Sequence, residues 1–152
     1  MSCRLLLSDE LFPYFSGGFQ FRLILDTSIL FGAVWGSVRG NKTALLEKLT
    51  NNPLIKICAP AHLEVEIYEK IETKFPEKQR ATAQNIAKRI LGNIEIINKQ
   101  SEISIKKAHS QLSNRDPKDI PFLSLAFDVK ASRILTNDRD FEDTRKKVSI
   151  TP

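Results

Sequence analysis

The sequence predicts an α/β fold with a mainly parallel sheet of about five strands. Short apolar runs alternate with longer stretches of helical spacing, the order of a sheet built from strand–helix–strand units. Each run is apolar residue after residue, not every second residue, as strands become when helices cover both faces. With 152 residues, 41% hydrophobic and 27% charged, one domain can bury its own core. Nine Phe spread through the regular apolar pattern exclude a disordered chain. No stretch approaches the roughly 18 apolar residues of a membrane span, so no membrane partner is expected.

The elements come in this order. Arg22-Leu23-Ile24-Leu25 ends at Asp26 and reads as the first buried strand. Residues 1–21 read as an N-terminal extension: Leu5-Leu6-Leu7 is too short for a signal core, and Pro13 and Gly17-Gly18 break any helix. Residues 22–152 form the domain proper. Ser28 to Trp35 has helical character, and Gly36 to Asn41 reads as a break before a helix from Lys42 to Thr50. Leu54 to Ala59 is the second strand. A helix begins at Pro60 with Leu63, Ile67 and Ile71 in register, and Pro76 divides it from another that reaches about Leu91. Ile94 to Ile97 is the third strand. Ser101 caps a helix through Leu112, and Asp116-Pro117 opens one that runs to Lys130. Arg133-Ile134-Leu135 is the fourth strand and Val148-Ser149-Ile150 a short fifth.

Cys3 and Cys58 are the only cysteines, far apart and in no zinc or redox spacing. A reducing, cytoplasmic setting is therefore expected, with Cys58 a small buried thiol. Lys and Arg number 23 against 18 acids, a net charge of +5 that favours a polyanionic partner without naming one.

The acids fall where sites form in such folds. Asp26 follows the first strand, Glu64 and Glu66 lie in the first turns after the second, and Asp116 and Asp119 open the helix before the fourth. Asp138 and Asp140 follow the fourth strand. The carboxyl ends of parallel strands share one edge, so these acids converge if strands one, two and four are neighbours. Carboxylates crowded together repel, and a hard divalent cation such as Mg2+ or Mn2+ resolves that repulsion. Such an ion activates water and offsets charge on a phosphodiester, the chemistry of a nuclease. Each acid also has a plainer reading. Asp26 and Asp116 are typical helix caps. Glu64 and Glu66 lie among Glu69 and Glu72, the composition of a solvated helix face.

Four segments resemble PIN domains. They are Leu23-Ile24-Leu25-Asp26-Thr27-Ser28, the Pro60 to Ile67 stretch, Asp116 to Ala126, and Ile134-Leu135-Thr136-Asn137-Asp138-Arg139-Asp140-Phe141. The resemblance covers about residues 22–145. It implies a three-layer α/β/α sandwich with a Mg2+- or Mn2+-dependent endoribonuclease site, in which a metal-activated water attacks phosphorus and leaves 5′-phosphate and 3′-hydroxyl ends. The catalytic, metal-holding acids would be Asp26, Glu66, Asp119 and Asp138, with Glu64 competing for the second place. Thr27, Ser28, Glu64, Asp116, Asn137 and Asp140 would support them from outside. Small single-domain members resemble VapC toxins, which are homodimers neutralised by a small antitoxin protein. The 21-residue leader and the Asp-x-Pro form of the third motif depart from the usual toxin pattern. Lys70, Lys74, Lys78 and Arg80 are candidates for contacting the RNA backbone near Glu66.

Other motifs carry less. Gly36 to Thr43 is a near miss to a phosphate-binding loop, with Asn41 in place of the second glycine and no preceding strand. His62 and His109 are each alone within a helix, which suits packing or solvent. Phe31, Val34 and Trp35 suit the core better than a partner surface. A non-toxin RNA-processing nuclease, or a non-catalytic RNA- or protein-binding module on the same fold, are the rival readings. Retention of all four acids argues against the binding module.

Overall fold

The protein, seen in a computed structural model, is described over residues 21–40, 44–111, 117–130 and 133–137. Chain order is β1 (Phe21–Leu25), α1 (Thr27–Val38), α2 (Ala44–Thr50), β2 (Ile55–Pro60), α3 (His62–Lys74), α4 (Glu77–Leu91) and β3 (Glu95–Ile97). Next come α5 (Glu102–Gln111), a 3-10 turn (Pro117–Asp119), α6 (Ile120–Asp128) and β4 (Arg133–Leu135). The strands lie in the order β3-β2-β1-β4 and every pairing is parallel. Four strands are present among the described residues; the expected fifth, Val148 to Ile150, lies outside them, as does the extension except its last residue, Phe21, which opens β1.

This order fixes the layers. From β1 to β2 to β3 the chain steps one way across the sheet, and from β3 to β4 it returns to the far side of β1. Right-handed crossovers put the helices of opposite steps on opposite faces. Accordingly α1, α3 and α4 pack on one another, while α5 packs on α6 and α6 lies against β1 and β2. The predicted α/β/α sandwich is what forms. Leu63, Ile67 and Ile71 are fully buried at successive i+4 positions of α3, and Leu30 and Val34 of α1 and Ala83 and Ala87 of α4 meet them in the core. Fully burying one such Leu or Ile contributes about 1.5–3 kcal/mol.

Three boundaries depart from expectation. α1 runs through Gly36 to Val38 and turns only at Gly40, whose φ of +83° needs a glycine. The cost of about 1 kcal/mol for an internal Gly is outweighed because Trp35 and Val38 pack against the core. Pro60 is the last residue of β2, and α3 starts two residues later. The helix expected from Pro117 opens instead as a 3-10 turn, with α6 starting at Ile120-Pro121. Pro121 lacks an N–H and has a helix-ready φ, so it sets the true first turn. Its Ser124 hydroxyl, fully buried, donates to Gln100 and to the Pro121 carbonyl.

The remaining packing expectations hold. Val34 is buried, and buried Phe75 meets the Phe31 ring edge-on and the Trp35 ring at a tilt, with Arg39 4.4 Å over the indole. Cys58 is buried, and its thiol is pushed up to about 11 by burial and by the charge of Glu95, which accepts its hydrogen bond at 3.6 Å. No helix among the described residues is long and apolar enough to cross a membrane.

Candidate functional site

Strand order reverses beside β1, between its neighbours β2 and β4, and the crevice at the carboxyl ends of such strands is where open α/β sheets bind ligands. Asp26 is the first residue past β1 at this point. Its backbone N–H continues the sheet by donating to Leu135 O at 3.0 Å, and its carbonyl accepts from Ile29 and Leu30 to start α1. The carboxylate does not cap that helix. It is 7% exposed, and its Oδ2 accepts from the Ser28 hydroxyl at 2.6 Å and the Thr136 hydroxyl at 2.7 Å. Among the described residues no hydrogen bond reaches Oδ1. The plain cap reading of Asp26 is therefore overturned.

Thr27 is fully buried and serves the second acid, donating from Oγ1 to Glu66 Oε2 at 2.7 Å. Glu66 lies one turn into α3, half-buried. Its Oε1 takes Lys70 Nζ at 2.8 Å, and His62 Nε2 stands 4.0 Å from Oε2. Burial works against ionisation of Glu66. The hydrogen bonds from Lys70 and Thr27 and the positive charge of Lys70 outweigh it, holding the carboxyl below its ordinary value. Glu64 is exposed.

Asp119 ends the 3-10 turn and stands at the head of α6 with no side-chain cap bond, its Oδ2 sealed from solvent. The first turns of α3 and α6 adjoin, because the His62 ring meets the Phe122 ring edge-on with centroids 6.4 Å apart. Asn137 donates its backbone N–H to Ser28 Oγ at 3.1 Å, carrying the chain after β4 across the end of β1. Asp116, Asp138 and Asp140 lie outside the described residues.

Of the basic candidates, Lys74 and Lys78 are exposed. Lys70 is engaged with Glu66 instead, and Arg80 pairs with Glu72 at 3.2 Å while donating to Phe75 O. Two residues were missed as site members. Thr136 had only its position in the closing motif to mark it, and His62 only its place four residues before Glu66.

Hard carboxylate oxygens held by hydroxyls at one sheet edge are the donor set that a hard divalent cation takes, and Mg2+ needs only one or two of them beside its waters. Among the described residues no three His, Cys, Asp or Glu side chains close into a metal-holding group. Asp26 and Glu66, the latter held to α1 by the Thr27 hydroxyl next to Asp26, are the groups that fit.

No curated protein matches the chain. Nine chains of solved structures do. Among them is VapBC2 from Rickettsia felis bound to a DNA fragment from its promoter. It is 19% identical with a TM-score of 0.58, the match covering 81% of this chain and 92% of that one. At that identity the likeness is one of fold. A family model described as PIN domain matches residues 24–151, so the chain belongs to the PIN-domain family, whose members are generally nucleases.

Proposed function

We propose that the chain is a Mg2+- or Mn2+-dependent endoribonuclease and the toxin of a toxin–antitoxin pair. The observation that carries the reading is Asp26: a buried carboxylate at the switch point of the sheet, braced on one oxygen by two hydroxyls, with no hydrogen bond on the other among the described residues. A buried charge so arranged is costly unless a cation shares it. Asp26 and Glu66 hold the ion, with Asp119 and, beyond the described residues, Asp138 completing the acids. When bound, the ion would polarise a water and offset the charge that develops on the phosphodiester. Ser28 and Thr136 keep Asp26 oriented, and Thr27 does the same for Glu66. Lys74, exposed one turn beyond Lys70 at the end of α3, and Lys78, exposed in the first turn of α4, draw the RNA backbone toward the edge. The fold shared with VapBC2 supports a small antitoxin as partner, and a homodimer and cytoplasmic location accompany that reading.

Asp26→Asn and Asp119→Asn should each lower metal-dependent RNA cleavage by at least about a hundredfold while the thermal transition in EDTA stays near that of the parent. Parental cleavage by both variants would refute the assignment. Growth arrest on expression, relieved by a co-expressed small neighbouring gene product, would identify a toxin; growth without arrest would favour a processing nuclease.

A further inference from the structure

The Glu66 carboxylate is committed twice over: Oε2 accepts from Thr27 and Oε1 from the Lys70 ammonium at 2.8 Å. Both Lys70 and Glu66 stand on α3, four residues apart, in the favourable order with the acid nearer the N-terminus. Making or breaking the pair thus takes a side-chain rotation and no movement of the fold. The two ends of the pair differ in environment. The Glu66 side chain is 14% exposed and that of Lys70 37%, so the lysine reaches water more freely than the carboxylate it holds. His62, one turn on the other side, has its Nε2 4.0 Å from Glu66 and no hydrogen bond among the described residues, so it does not replace the lysine as a firm partner.

We propose that Lys70 is the resident cation of the metal-free site, occupying Glu66 until a divalent ion displaces it. This rests on the metal-dependent reading above. Two cations drawn to one half-buried carboxylate repel each other. Lys70 therefore competes with the metal, lowering the site's apparent affinity, and leaves Glu66 paired when the metal is absent. Once displaced, its ammonium swings toward solvent on the side of Lys74, where it adds to the positive charge facing a phosphate backbone. Lys70 is a positioning residue and not a catalytic one.

The test is Mn2+ binding by the full chain, followed through the electron paramagnetic resonance signal of free Mn2+. Lys70→Met keeps the stem and removes the charge, and Lys70→Gln serves as a second neutral variant should the first fold poorly. Both should bind Mn2+ about tenfold more tightly than the parent, the equivalent of about 1.4 kcal/mol, and both should melt lower than the parent in EDTA. Lys70→Arg, which keeps the charge, should bind no more tightly than the parent. Unchanged or weaker Mn2+ binding by the neutral variants, with a parent that binds and an Asp26→Asn variant that does not, would overturn the role of Lys70 alone. A parent that takes up no Mn2+ would overturn the metal site and this proposal with it.

Discussion

Asp26 and Asp128 are both carboxylates held by hydroxyl groups, and they use their oxygens differently. Asp128, at the end of α6, spends both. Oδ2 accepts from the Ser101 N–H at 2.7 Å, and Oδ1 accepts from the hydroxyls of Ser101 and Ser104 at 2.6 and 2.7 Å. All three donors come from the first turn of α5 and its cap, where Ser101 Oγ also accepts from Ser104 N–H. Asp128 is a clasp that ties two antiparallel helices at a helix N-terminus, a place that favours negative charge. Asp26 takes both of its hydroxyls on one oxygen, from donors on either side of the sheet's switch point, and among the described residues leaves the other without a hydrogen bond. Asp128 is saturated by neutral donors fixed in one helix cap, as a structural clasp is, whereas Asp26 is braced with capacity to spare for a ligand.

The sharpest way to break this contrast is to exchange each carboxylate for its amide. Asp26→Asn should remove activity and leave stability nearly intact. Asp128→Asn should do the reverse, keeping the cleavage rate within about twofold and losing about 1–2 kcal/mol in urea unfolding. If Asp128→Asn silences cleavage at parental stability, the division fails.

Titration tests the clasp at Asp128 directly. Burial opposes the charge of Asp128, but the bonds from Ser101 and Ser104 outweigh it and hold the carboxyl below its ordinary value. A depressed carboxyl contributes stability that is complete above its unfolded value, near 3.9, and is lost as pH falls through the folded one. Urea midpoints measured downward from pH 6 should therefore fall less steeply below about pH 4 in Asp128→Asn than in the parent.

A smaller effect is expected at the brace itself. Thr136→Val keeps the shape and removes one of the two donors to Asp26, so cleavage should drop about tenfold with about 1 kcal/mol lost from stability. Wild-type rates in this variant would show that the Ser28 hydroxyl suffices. Smallest of all, Lys130, two residues past the end of α6, has a φ of +50°, a conformation that glycine adopts freely. Lys130→Gly should raise the unfolding free energy by about 0.5 kcal/mol without touching cleavage.

The sequence carried the strands and their acids well, because a buried parallel strand must be apolar throughout and the first residue beyond it must turn. Asp26 was legible for that reason, whereas Glu66, one turn into α3, stood level with Glu64 until their burial differed. Thr136 was harder: it is 110 residues from Asp26, and only the β1–β4 register, with Leu25 opposite Leu135, brings them together. His62 was set aside as a lone histidine, since periodicity assigns a residue to a helix without saying which neighbouring helix faces it. The start of α6 was misplaced because two prolines four residues apart both look like openings, and the buried run from Phe122 to Leu125, immediately past Pro121, decides between them. Lys70 read as a contact for the RNA backbone, because sequence proximity to Glu66 does not reveal that the half-buried carboxylate takes its ammonium.

The position of β1 between β2 and β4 also has a consequence in time. Pairing β1 with β2 closes a loop of some thirty residues, whereas pairing it with β4 closes one of about 110. During synthesis at about 5–20 residues per second, α3 and Glu66 can assemble on β1 seconds before β4 has been made. Thr136 reaches Asp26 only after that. On the proposed reading of an RNA-directed enzyme, the growing chain would emerge beside abundant potential substrate with its crevice still open, and it would become competent only once β4 had joined β1.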